Sequence, residues 1–153
     1  MADSQRFAVA IHMLMMLAAD EAEKPARPIT SAEMARSVNS NPVVLRRVIS
    51  SLAHAGVLET RPGANGGVWL AKTPGAIRLD QVRRAVDGGS VVCPRANVNN
   101  DCPVAVAALD VIDGVSRRVD GAVDASLASL TLADLIGELL ASGNAVGRCR
   151  PRA

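Results

Sequence analysis

Between Pro42 and His54 the apolar residues Leu45, Val48, Ile49 and Leu52 fall at i, i+3, i+4 and i+7, and no other feature constrains the folding of this chain as tightly. A helix with that spacing has one aliphatic face, and it turns Val43, Arg46, Arg47, Ser50 and Ser51 the other way. Ser40 or Asn41 can cap it, Pro42 suits its first position, and Gly56 supplies a stop after Ala55. Upstream, Thr30-Ser31-Ala32-Glu33 reads as a capping box that launches a short helix through Met34, Ala35 and Val38. Asn39-Ser40-Asn41-Pro42 then breaks and restarts the chain. Downstream, the extended runs Val57 to Arg61 and Gly67 to Ala71 flank Pro62-Gly63-Ala64-Asn65-Gly66, which predicts a β-hairpin with a glycine-rich tip.

Around this block the reading is helical. A first helix is expected from about Ser4 to Ala19, apolar nearly all round and therefore deep, and ended by the acidic stretch after it and by Pro25 and Pro28. Leu79 to Val86 reads as an amphipathic helix ended by Gly88-Gly89, and Ser90 to Asp101 as a loop. A long helix then starts near Pro103. If continuous to Ser129 it is roughly 40 Å long at about 1.5 Å per residue. One stripe of it is Val104, Ala108, Val111, Val115, Val119, Val123 and Leu127. Another is charged, with Asp110, Asp113, Arg117, Asp120 and Asp124. Gly114 and Gly121 interrupt it, as is tolerable where two backbones approach closely. Thr131 to Leu140 forms a last short helix before the basic tail that ends in Arg152.

Composition narrows the function. The chain of 153 residues holds 49% hydrophobic residues, enough for one core, yet only Phe7 and Trp69 are aromatic. Modules that stack bases on aromatic platforms are thereby disfavoured, as is a catalytic tyrosine. The net charge of +2 conceals a basic segment: from Pro28 to Lys72 the cations Arg36, Arg46, Arg47, Arg61 and Lys72 face only Glu33 and Glu59. Such a patch suits a polyanion. Phe7 to Ala19 is too short to span a bilayer and reads as a buried helix rather than a signal peptide, so no membrane partner is expected. Three cysteines, Cys93, Cys102 and Cys149, are too few for a secreted disulfide scaffold and suggest the cytoplasm.

Together these pieces predict a mainly α fold: a winged helix-turn-helix with a small β-hairpin wing and a long C-terminal dimerisation helix. The expected division is a DNA-binding domain over 1–78, a linker helix and sensor loop over 79–102, and a dimerisation helix, short last helix and tail over 103–153. The helix from Pro42 would enter the roughly 12 Å major groove. Arg46 and Arg47 would reach phosphates or guanine edges, with Ser31, Ser40, Asn41, Pro42 and Val43 near the helix starts. Arg61, Asn65, Gly66 and Gly67 of the wing would lie on the DNA backbone. A winged helix used only for protein contacts is the alternative of a different class, and weak salt dependence would mark it. There is no nucleophile elbow, P-loop, dinucleotide fingerprint or Cys-x-x-Cys, so an enzyme is not expected.

The run Phe7 to His12, the run Asn41 to Val48 continuing through Leu52 and Ala55-Gly56-Val57-Leu58, and the wing Gly63 to Ala71 resemble the Rrf2 family of bacterial transcription regulators. The resemblance covers nearly the whole chain. It implies homodimers joined through the long helix, binding to pseudo-palindromic operator DNA, usually repression, and a sensing site in the loop before that helix. Cluster-binding members carry three closely spaced cysteines there. This loop has two, Cys93 and Cys102, so an iron–sulfur cluster would need His12 and a further group, or Cys149, and the position one turn before His12 is Ala8 rather than a carboxylate. The leading expectation is therefore no cofactor and a thiol sensor, with Cys102 activated at a helix N-terminus and Cys93 resolving it as a disulfide. The cluster is the alternative, and inert thiols a third reading. Cys149, between Arg148 and Arg150, is also electrostatically activated, and its role is left open.

Overall fold

The computed structural model describes residues 3–21, 29–63, 66–86, 89–92 and 101–142. The first helix, α1 (Asp3–Glu21), lies across the others and buries Ala10, Met13, Leu14, Leu17 and Ala18. Phe7, Val9, Ile11, Met15 and Met16 pack half-buried around them, which is how a helix apolar on most sides satisfies its surface. Next come α2 (Ser31–Val38) and α3 (Pro42–His54). Met34 anchors α2, and Leu45, Val48, Ile49 and Leu52 anchor α3, the four positions that the periodicity selects.

The chain then forms the antiparallel pair β1 (Leu58–Arg61) and β2 (Gly67–Leu70), in register from Leu58 opposite Leu70 to Arg61 opposite Gly67. Leu58 and Val68 face the core. Val68 also bridges to Ile29, donating its N–H to the Ile29 carbonyl at 3.1 Å, which ties the wing to the chain before α2. Alternation along β2 gives the inner position to the buried Val68 and leaves the half-buried Trp69 on the opposite face of the hairpin. A single 3-10 turn, Pro74–Ala76, leads into α4 (Leu79–Val86).

The long helix α5 (Pro103–Ala128) has 26 residues, and α6 (Leu132–Ala141) follows it. Among the residues of α5 only Ser116 is buried. By contrast α6 returns to the core. Leu132 is fully buried, its N–H is donated to the Ile77 carbonyl at 2.9 Å, and the Leu79 N–H is donated to the Leu130 carbonyl at 3.0 Å. No helix among the described residues is long and apolar enough to cross a membrane.

Candidate nucleic-acid interface

Two caps set the geometry of the α2–α3 unit. Thr30 caps α2, its hydroxyl accepting from the Glu33 N–H at 3.2 Å while the Glu33 carboxylate accepts from the Thr30 N–H at 2.9 Å. The chain then turns through Asn39, whose φ of 48° is the left-handed conformation that asparagine tolerates. Asn41 caps α3, with Oδ1 accepting from the Val43 N–H at 2.8 Å, and Pro42 occupies the first turn. The cap therefore uses the Asn41 oxygen. Ser40 Oγ is buried without a hydrogen-bond partner. Of the two residues predicted before the helix, one is held by the cap and the hydroxyl of the other is turned inward.

The outward face of α3 carries the charge. Val43, Arg46, Arg47 and Ser50 are exposed, opposite the four buried aliphatic residues. Between α2, α3 and the wing lies a cleft of about 560 Å³ bordered by Ser31, Arg46, Ser50, Arg61, Gly66 and Gly67. The structure thus gathers five of the sequence-predicted residues around one surface. Arg47 lines a separate cleft on the other side of α3. Asn65, at the wing tip, lies outside the described residues.

The wing is shaped by backbone. Gly66 donates its N–H to the Gly63 carbonyl at 2.9 Å, and Gly63 has a φ of +104°, which closes the tip tightly. Arg61 extends over the Trp69 ring, its guanidinium carbon 5.2 Å from the ring centre. This cation–π contact restrains the arginine on the outer face of the hairpin.

A second polar system went unseen in the sequence. Arg83 of α4 donates to Asp124 at 2.7 Å and to Asp120 at 3.1 Å, both on α5. Arg84 bridges Asp124 at 3.2 Å and Asp80 at 2.8 Å. Asp80 is fully buried, and Arg78 also grips it in a two-pronged contact of 2.7 and 2.9 Å. The hydrogen bond from Arg78 holds the Asp80 carboxyl below the usual carboxylate range against the opposing effect of burial, with the charges of Arg78 and Arg84 adding to the effect. Asp120 further accepts from the Val91 N–H at 2.8 Å, and Ser116 donates to the Val92 carbonyl at 3.1 Å. Two members of the charged α5 stripe are thus the clasp that attaches the helix to α4, alternation of charge along the sequence giving no sign of it.

Of the two expected sensor cysteines the structure describes one. Cys102 is half-buried at the N-cap of α5 and its side chain makes no capping hydrogen bond. Cys93 and Cys149 lie outside the described residues. His12 Nε2 is 3.4 Å from Ser37 Oγ, a contact between α1 and α2. Among the described residues no three His, Cys, Asp or Glu side chains converge.

A capped α2, a basic α3 and a glycine-tipped wing define a winged helix-turn-helix DNA-binding protein. The model of the Rrf2 family, described as iron-dependent transcriptional regulators, matches residues 3–138, and the chain belongs to that family. It is 38% identical over 138 residues to YwnA of Bacillus subtilis (strain 168), assigned as an HTH-type transcriptional regulator, covering 89% of this chain and 98% of YwnA. Among solved structures it is similar to CymR, the global cysteine regulator of B. subtilis. That match has a TM-score of 0.59 and 25% identity over 87% of this chain and 94% of CymR. A protein of Lactobacillus plantarum assigned as a transcriptional regulator has the same fold, with a TM-score of 0.69 and 24% identity over 88% of this chain and 89% of its own.

Proposed function

We propose that the protein is a homodimeric operator-binding repressor of the cytoplasm whose DNA affinity responds to oxidation of Cys102 and Cys93. The observation that carries the DNA-binding part is the exposed face of α3, where Arg46 stands at a cleft shared with Arg61 and the wing backbone. A helix so equipped can sit in the major groove while the wing rests on a phosphate backbone. Replacing Arg46 and Arg47 by alanine is expected to weaken binding sharply and to make its salt dependence shallower by about 0.9 for each phosphate no longer neutralised. Gel-shift affinity equal to the wild type would sink the assignment of α3.

The sensing part rests on the place of Cys102, half-buried at the start of the helix that α4 clasps. Hydrogen peroxide would convert its thiolate to a sulfenic acid, with hydroxide, taken up as water, as the other product. Condensation with the Cys93 thiol would release a second water and leave a disulfide. Such a bond would tether the loop to the N-terminus of α5. A coupling of about 1 to 3 kcal/mol would change operator affinity roughly 5- to 150-fold. Non-reducing mass analysis is expected to show the loss of two hydrogens in peroxide-treated wild type and none in Cys102→Ser. A visible chromophore after anaerobic purification would instead favour a cluster.

A further inference from the structure

The two adjacent arginines of α3 serve different surfaces. Arg46, Ile49 and Ala53 line the wing cleft, whereas Val44, Arg47, Val48 and Ser51 line a second cleft of about 730 Å³ between α1, α3 and the end of α4. At about 100° per residue these two sets lie on opposite flanks of the exposed face that carries Val43 and Ser50. The second cleft has apolar walls, Val44 and Val86 among them, and its polar groups are Arg6, Arg47, Ser50, Ser51 and His54. Among the described residues no acidic one lines it. His54 borders both clefts, its Nδ1 donating to the Ser50 carbonyl at 2.8 Å.

A helix seated in the major groove runs between two phosphate backbones, one on each flank. The wing cleft, with Arg46 and Arg61, meets one of them. We infer that the cleft between α1, α3 and α4 binds the phosphodiester backbone of the opposite strand, with Arg6 and Arg47 as the cations and Ser51 as a hydroxyl donor. Charge complementarity selects the occupant, since Arg6 and Arg47 both border the cleft and arginine matches phosphate oxygens in pairs. The inference rests on the DNA-binding reading and extends it to α1, which no helix-turn-helix pattern in the sequence singles out.

Phosphate contacts add affinity on any sequence, so a labelled random-sequence duplex is a sufficient probe. Fluorescence anisotropy across a salt series is expected to show a slope shallower by about 0.9 for Arg6→Gln, with several-fold weaker binding at fixed salt. Arg6→Lys, which keeps the charge, should restore the slope. Ala85→Glu, which sets a carboxylate in the same cleft without touching Arg6, should also weaken binding. Equal thermal melting of the variants separates these effects from folding. Wild-type affinity and slope in both Arg6→Gln and Ala85→Glu, with the wild type itself bound steeply, overturn the cleft and leave α3 and the wing in place. A wild type that does not bind the duplex at low salt overturns both readings.

Discussion

At the scale of single residues, the described interface is held by small polar groups and backbone. Asn41 satisfies the Val43 N–H at the start of α3, and replacing such a cap by alanine lowers stability by about 1 kcal/mol. Asn41→Ala is expected to show that loss in chemical denaturation, and Asn41→Asp to retain most of the cap's effect. An unchanged midpoint in Asn41→Ala would show that the cap contributes nothing. Gly66 is a sharper case. A Cβ there would lie 2.2 Å from the Arg61 carbonyl oxygen, 2.7 Å from the Pro62 carbonyl carbon and 2.9 Å from the Gly63 oxygen, all of them backbone. Gly66→Ala should therefore open the tip, shift the emission of Trp69 beneath Arg61 and weaken DNA binding. Global stability should fall little, because Leu58 and Val68, which hold the wing to the core, are not disturbed. The need for glycine was legible in the composition of the turn. The inward Ser40 hydroxyl was not, since a serine beside a helix start reads equally as a cap, a donor to DNA or a buried group.

At the scale of elements, local signals were reliable and long-range ones absent. Pro42–His54 and Leu79–Val86 have the bounds that caps, glycines and periodicity indicate, because those determinants lie within a turn of the helix ends. The clasp between α4 and α5 joins Arg83 to Asp120 and Asp124, 37 and 41 residues away, and no spacing rule reaches that far. Its neighbour Asp80 gives a pH prediction. Its carboxyl is held below the ordinary range chiefly by Arg78, and Asp134 is held low by the Thr131 hydroxyl and amide in the cap of α6. A carboxyl that is more acidic folded than unfolded stabilises the fold above its unfolded value of about 3.9, and this contribution is lost as pH falls through the folded value. The thermal midpoint is thus expected to change little on this account from neutral pH to about pH 5 and to drop below about pH 4. Asp80→Asn should lower the plateau by about 2 kcal/mol, the scale of hydrogen bonds to charged groups, and flatten the acid limb. An acid limb as steep as in the wild type would show that the groups responsible lie elsewhere.

At the scale of the molecule, α5 leaves an apolar surface that one chain does not cover. Val104, Val111 and Val115 are exposed, Val104 to 77% and Val111 to 67%, whereas Val119, Val123 and Leu127 are half-buried. The stripe changes sides because its later steps are of four residues, each advancing about 40° beyond a full turn, whereas a 4-3-4 spacing holds Val104 to Val115 nearly in line. The sequence showed one stripe and the structure shows two roles, body contact in the C-terminal half and an uncovered apolar surface in the N-terminal half. Alanines at Gly114 and Gly121 would meet nothing within 4 Å among the described residues, so no packing among these accounts for either glycine. With two protomers joined along this half, each would present an α3 to one half of a two-fold operator. Val111→Glu places a charge on the uncovered stripe at a side chain that is itself exposed, so helical content and melting of the isolated chain should survive. Sedimentation equilibrium is expected to give a dimer for the wild type and a monomer for Val111→Glu. The monomer should also bind a palindromic site more weakly, because it engages one half-site at a time. A Val111→Glu protein that remains dimeric would place the subunit contact on another surface and leave these valines unexplained.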